Sequence, residues 1–161
     1  MSGKRHEVER LVGVISDTHG LLRPEAVDAL RGAEVILHAG DVGNPEVLEV
    51  LSGVAPVVAV RGNNDKGGWA EGLPHREAVE IEAVSVYMLH DLKEIDINPA
   101  AAGFRVVVSG HSHKPSVGER EGVLYLNPGS AGPRRFRLPV SVALLRVIGE
   151  AVSARVIELP V

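Results

Sequence analysis

LVGVISDTHG (residues 11–20), EVILHAGD (34–41) and PVVAVRGNN (56–64) decide how this chain folds. Each opens as a short, β-branched apolar run and stops on a polar turn, the pattern of a buried strand. The predicted strands are Leu11–Ser16, Glu34–Ala39 and Pro56–Val60. Two helix signals lie between them. Pro24 suits the first turn of a helix reaching about Arg31, and Asn44-Pro45 reads as a cap plus first-turn proline for a helix reaching about Leu51. Strand, helix, strand, helix, strand is a right-handed βαβαβ unit with a parallel sheet.

Beyond this unit the pattern changes. Glu77–Glu82 and Val84–Leu89 are two runs with a tight junction, expected as an antiparallel hairpin. A polar stretch through Ile95, Ile97 and Pro99-Ala100-Ala101-Ala102 is expected as a short helix. Phe104–Ser109, Val117–Arg120 and Val123–Leu126 read as strands. Val140–Ile148 and Val152–Leu159 form a last hairpin around Gly149-Glu150. The stretch 64–74, with three glycines and the only tryptophan, Trp69, is the longest irregular segment of the first half.

The 161 residues fit one domain, 1–161, with residues 1–10 as a polar lead. A net charge of -4 offers no bulk attraction to nucleic acid or an anionic membrane. Nucleic acid is therefore disfavoured as a partner, although a local basic site would still hold a phosphate. The absence of cysteine excludes disulfides, thiolate metal sites and cysteine nucleophiles, and suits a reducing cytosol. Neither a signal-type apolar core nor a run near the roughly 20 residues of a membrane span is present. The expected location is cytoplasmic.

Six of the apolar runs end in residues that bind hard or borderline cations. The endings are Asp17-Thr18-His19, Asp41, Asn63-Asn64-Asp65, His90-Asp91, His111-Ser112-His113 and Asn127-Pro128-Gly129-Ser130. One His-x-His pair means little, since chance supplies about 0.3 in a chain of this composition. Position raises the signal: open α/β folds keep their sites at the carboxyl ends of strands, and i, i+2 spacing in extended chain aims two side chains one way. Gly40, Gly62 and Gly110 stand just before such residues, where backbone needs a positive φ or a close approach.

In this order the residues resemble the calcineurin-like metallophosphoesterase superfamily, whose motifs run Asp-x-His, Gly-Asn, and Gly-His-x-His with a Gly-Asp and a lone His between. They stand here as Asp17-Thr18-His19, Gly40-Asp41, Gly62-Asn63, His90 and Gly110-His111-Ser112-His113. His38-Ala39-Gly40-Asp41, Arg61-Gly62-Asn63 and Asn127–Ser130 look like the small bacterial and archaeal phosphodiesterase branch. The resemblance covers about residues 11 to 135. It implies a four-layer α-β-β-α sandwich of two facing mixed β-sheets flanked by helices.

The resemblance also implies a two-metal phosphodiesterase that hydrolyses small phosphodiesters through a metal-bridging hydroxide. Asp17, His19 and His113 would hold one ion, and Asn63, His90 and His111 the second, with Asp41 bridging both. Two ions about 3.5–4 Å apart clamp a phosphoryl oxygen and lower the pKa of a bridging water. Carboxylate, amide and imidazole donors without sulfur suit divalent Mn, Fe, Co, Ni or Zn, with Mn favoured by family habit. Asn64 stands where many members carry a histidine; it can donate a hydrogen bond to substrate but cannot transfer a proton. Asp91 stands where glycine is common. Asn64, Arg61, Arg134 and Arg135 are the candidate substrate contacts, and Asp41 and Asn64 the candidate catalytic residues.

The remaining residues divide by context. His38, inside an apolar strand, reads as a satisfied core histidine, with a role in orienting a ligand as the alternative. His6 and His75 receive no role. Asp65 is left to contact solvent, Asn64 or its own loop, with a functional role open. The run Pro133-Arg134-Arg135-Phe136-Arg137 is either a solvated loop or a phosphate-binding segment. Two other functions compete: a non-catalytic interaction module on the same fold, as the retromer subunit of this superfamily illustrates, and a nuclease. A homo-oligomer is open.

Overall fold

A computed structural model of the chain describes residues 8–161. His6 and most of the polar lead lie outside the described residues. The last part of that lead is strand: β1 runs Glu9–Ile15, because Glu9 and Arg10 pair with Ile148 and Val147 near the end of the chain. The βαβαβ unit follows as α1 (Pro24–Leu30), β2 (Val35–His38), α2 (Pro45–Ser52) and β3 (Val57–Ala59). The Asn44 side chain accepts the amide of Val47, as a cap should. A four-residue helix, α3 (Gly68–Glu71), interrupts the segment expected as irregular.

The second half supplies β4 (Arg76–Ile81), β5 (Val84–Leu89), β6 (Val106–Val108), β7 (Ser116–Arg120), β8 (Val123–Asn127), β9 (Ser141–Ile148) and β10 (Ala151–Glu158). One five-stranded sheet has the order β10-β9-β1-β2-β3, the other β4-β5-β6-β8-β7. Both are mixed. In the first, β1, β2 and β3 are parallel to one another; in the second, β5, β6 and β8 are. The edges are closed by the antiparallel hairpins β9–β10, β4–β5 and β7–β8.

Alternation along the strands builds three apolar layers. Val12, Val14 and Leu37 of the first sheet face Val86, Met88, Val108 and Leu126 of the second, all with no more than 1% exposure. Fully burying a side chain of this size contributes roughly 1.5–3 kcal/mol, so this inner layer holds the sheets together. On the outer face of the first sheet, Ile15 and Ile36 pack under Leu30 of α1 and Leu51 of α2. Gly13 lets α1 come close, since a Cβ there would stand 2.8 Å from Leu30.

The outer face of the second sheet is covered differently. Tyr87, Leu89, Val107 and Val123 lie under Leu92, Ile95, Ile97 and Phe104. The short helix expected over 95–102 is absent. In its place stand a single 3₁₀ turn, Leu92–Glu94, and turns around Pro99–Gly103. Pro99 and Asn98 favour a turn, and the apolar residues Ile95 and Ile97 sit at spacing two, which suits extended chain lying on a sheet. Among the described residues no helix is long and apolar enough to cross a membrane.

Candidate metal centre

The six parallel strands end at one rim, and the loops that leave them are tied to each other. The loops after β1 and β2 continue the parallel pairing: Asp17 donates its amide to Gly40 at 3.0 Å and His19 to Asp41 at 2.9 Å. Gly110 donates to His90 within the second sheet's loops, and Ala131 to Ser16, which joins the two sheets' loops. Gly40 has φ of 103° and little room beside His90, so both reasons for glycine apply there. At Gly62 and Gly110 the reason is space alone: a Cβ would collide with Asp41 and with Ser16.

Asp17, His19, Asp41, His111 and His113 all have positive φ, between 46° and 69°. Non-glycine residues rarely adopt this conformation, and it costs of order 1–3 kcal/mol each unless the surroundings enforce it. Here five polar residues turned to the same rim share it. Of these, the side chains of Asp17, His19, Asp41 and His113 approach one another at the rim.

The carboxylate of Asp17 is fully buried. Its Oδ2 accepts the Ser16 hydroxyl at 2.6 Å and the His111 amide at 3.1 Å. Its Oδ1 has no hydrogen-bond partner. That oxygen faces the Nε2 atoms of His113 at 3.4 Å, His19 at 3.8 Å and His90 at 3.8 Å. Asp41 Oδ2 lies 3.3 Å from His90 Nε2 and 3.7 Å from His19 Nε2. His19 and His113 approach through Nε2 at 3.4 Å. Two groups thus have metal-ligand spacing, Asp17-His19-His113 and Asp17-Asp41-His90.

The tautomers suit ligation. His90 Nδ1 donates to the Ala39 carbonyl at 2.8 Å, which leaves its buried Nε2 a lone pair with no partner. Burial opposes charge on His90, but the Asp41 carboxylate 3.3 Å away and the nearby Asp17 outweigh it and raise its pKa to about 8. Burial likewise opposes charge on Asp41, yet His90 and the Asn64 amide bring its pKa down to about 2. Asp17 is lowered against the same burial penalty by His113, His90 and Ser16. Carboxylates held ionised, with orphaned oxygen and nitrogen atoms facing one another, fit a cation between them.

The other sequence candidates are placed less uniformly. Asn63 is exposed and shares a cavity of about 320 Å³ with Arg61, His90 and His111. The His111 side chain is 45% exposed, with Nε2 3.7 Å from Asp91 Oδ2 rather than against Asp41. Asn64 is turned onto Asp41: its backbone amide donates to Oδ1 at 2.8 Å and its side-chain amide to Oδ2 at 3.1 Å. Arg61 Nε donates to the Asp65 carbonyl. Arg134 donates to the Val161 carbonyl at 2.8 Å. Arg135 lines a larger cavity together with His111 and Asp91.

Several supporting residues are not legible as such in the sequence. Asp65 is buried and accepts the amides of Val42, Gly43 and Gly62, clamping the loops that carry Asp41 and Asn63. His38 accepts the Gly40 amide on Nδ1 and so donates from Nε2 to Thr18, whose hydroxyl donates to Val42. Burial lowers its pKa to about 4, as a neutral core histidine requires. Asn127 donates to the Gly110 carbonyl and the Ser112 hydroxyl, holding the His111-x-His113 loop. Ser130 donates to the Asp17 carbonyl. The one signal was a sixth polar strand ending, Asn127–Ser130, which is a brace between sheets.

Comparison with known proteins shows the family and the fold. Residues 11–150 match the family model for the calcineurin-like phosphoesterase superfamily domain. A probable metallophosphoesterase of Methanothermobacter thermautotrophicus is 41% identical over 160 residues, covering 92% of each chain. The structure of Vacuolar Protein Sorting 29 from Cryptosporidium parvum superposes with a TM-score of 0.80 at 24% identity, covering 94% of this chain and 92% of that one. A novel archaeal phosphodiesterase gives a TM-score of 0.76 at 22% identity, covering 91% and 99%. At such identities the last two establish the fold.

Proposed function

We propose, from the premise that the chain belongs to the calcineurin-like phosphoesterase superfamily and is a metal-dependent phosphoesterase, that it is a two-metal phosphodiesterase acting on small phosphodiesters. The observation that carries this reading is Asp17 Oδ1, buried and unpartnered in front of three imidazole Nε2 atoms. Such an oxygen is expensive to bury unless a cation occupies the space it faces.

Asp17, His19 and His113 would hold one divalent ion, and His90, His111 and Asn63 the other, with Asp41 between them. Manganese is the favoured ion, and the sulfur-free donor set also suits iron, cobalt, nickel or zinc. Bound ions of this kind supply Lewis acidity and an ionised water at neutral pH. The chain's own residues do the rest. Asp41 is held in one orientation by both amides of Asn64. Arg61 and Arg135 offer guanidinium groups to the phosphate oxygens. Asn64 transfers no proton, so the departing alcohol takes its proton from solvent and good leaving groups react best.

A scaffold function is the second reading, favoured by the likeness to Vacuolar Protein Sorting 29. Metal analysis combined with an activity matrix separates the two. The expected result is two transition-metal equivalents per chain, with turnover of bis(4-nitrophenyl) phosphate exceeding that of 4-nitrophenyl phosphate. Fewer than two equivalents, or a fully loaded protein inert towards diesters, cyclic nucleotides and monoesters alike, overturns the enzymatic reading. The substrate is taken as a small molecule met in the cytoplasm, which the absence of cysteine suits.

A further inference from the structure

The centre opens onto a trough on the outer face of the second sheet, a cavity of about 1080 Å³ of whose lining the chemistry above uses only His111 and Arg135. Asp91 and His111 line both this trough and the smaller cavity that holds Asn63 and His90. A group bound at the centre therefore has a continuous path into the trough. Its size lies at the upper end of sites for small organic molecules and far exceeds the needs of a phosphate.

The lining has a definite chemistry. Leu92, Ile95 and Ile97 form one wall, from the extended segment that replaces the expected helix. Val123 and Tyr125 of β8 point outward and form the floor. The Arg120 guanidinium carbon sits over the Tyr125 ring, 4.2 Å from its centroid. A guanidinium stacked on one ring keeps its other face for a second π-system. Gly118 stands opposite Tyr125, between the lining residues Ser116 and Arg120 on the same strand, and a Cβ there would meet nothing within 4 Å.

We infer that the trough is the subsite for one ester arm of the diester, and that the arm it selects is aromatic. The inference rests on the phosphodiesterase reading for the position of the phosphate, while the selectivity comes from the trough alone. An alkyl arm as small as methyl leaves the apolar walls in water, whereas an aryl arm buries them and meets the Arg120–Tyr125 pair.

Binding calorimetry on manganese-loaded protein tests this with two slowly hydrolysed probes, diphenyl phosphate and dimethyl phosphate. The full chain is expected to bind the diphenyl ester about tenfold or more tightly. Ser116→Trp and Gly118→Leu fill the trough from exposed strand positions outside the metal cluster. Both are expected to bring the two affinities within about twofold while leaving dimethyl phosphate unchanged. Equal affinities in the unmodified protein, or a preference that persists in both variants, overturns the subsite. Turnover of diesters without the preference removes the subsite alone. The preference without turnover of any diester removes the phosphodiesterase reading and leaves the subsite standing.

Discussion

The two sheets contribute unlike halves to the rim. The first sheet brings Asp17 and Asp41, buried and fastened by Ser16, Asn64, His38 and Asp65 to backbone on neighbouring loops. The second brings His90, His111 and His113, of which His111 is 45% exposed and held through little besides Asp91. Charge explains the asymmetry. A buried carboxylate survives only where donors surround it, so the first half needs a built lattice of hydrogen bonds. An imidazole tolerates partial exposure and takes up its final place when a cation fixes it. The two carboxylates of the first half are therefore preorganised, and His111 is the adjustable member of the second.

The sharpest way to break this comparison is at the shared carboxylate. Asp41→Ala is expected to reduce metal content by at least one equivalent and diesterase kcat by about 10³-fold or more. Elemental analysis and steady-state kinetics measure both. His111→Ala, on the adjustable side, is expected to weaken one metal equivalent without changing the urea midpoint of the metal-free protein. If the two variants lose equal stability, the asymmetry is wrong.

Asp65→Ala probes the lattice without touching a ligand. It leaves three amides around Val42, Gly43 and Gly62 without their acceptor, at an expected cost of about 3 kcal/mol in urea unfolding. Asp65→Asn keeps part of the acceptor capacity and is expected to recover some of that loss.

A pH series separates two histidines of opposite sign in metal-free protein. His38 titrates at about 4 when folded, against about 6.5 unfolded, so below pH 6.5 the unfolded chain binds the extra proton. Its contribution is complete above pH 6.5 and falls by roughly 3 kcal/mol as pH drops to 4. His90 titrates at about 8 when folded, so its contribution is complete below 6.5 and is lost as pH rises through 8. Urea midpoints from pH 4.5 to 8.5 should show both flanks, and His38→Gln should flatten the acid flank only.

Much of the site was readable because ligand chemistry restricts residue type. Asp17-Thr18-His19 and His111-Ser112-His113 carry cation-binding side chains at spacing two after apolar runs, and both meet at Asp17 Oδ1. Asp65 and Asn127 were not readable, since an Asp or Asn in a turn looks alike whether it faces water or braces a loop. Arg134 is ambiguous for the matching reason: an arginine beside a phosphate site is equally able to hold a backbone carbonyl, as it does at Val161. The helix expected over 95–102 failed because alanine propensity in a short segment yields to tertiary burial of Ile95 and Ile97.

By itself the sequence determined the strands, their parallel βαβαβ core and the list of side chains able to hold metal, because periodicity and donor chemistry are local properties. The tertiary structure decided which of those side chains converge, that Asn64 grips Asp41, and that an open trough leads away from the centre. These depend on how two sheets face each other across a shared apolar layer. Distances between residues a hundred positions apart are set by that packing, and no local pattern encodes them.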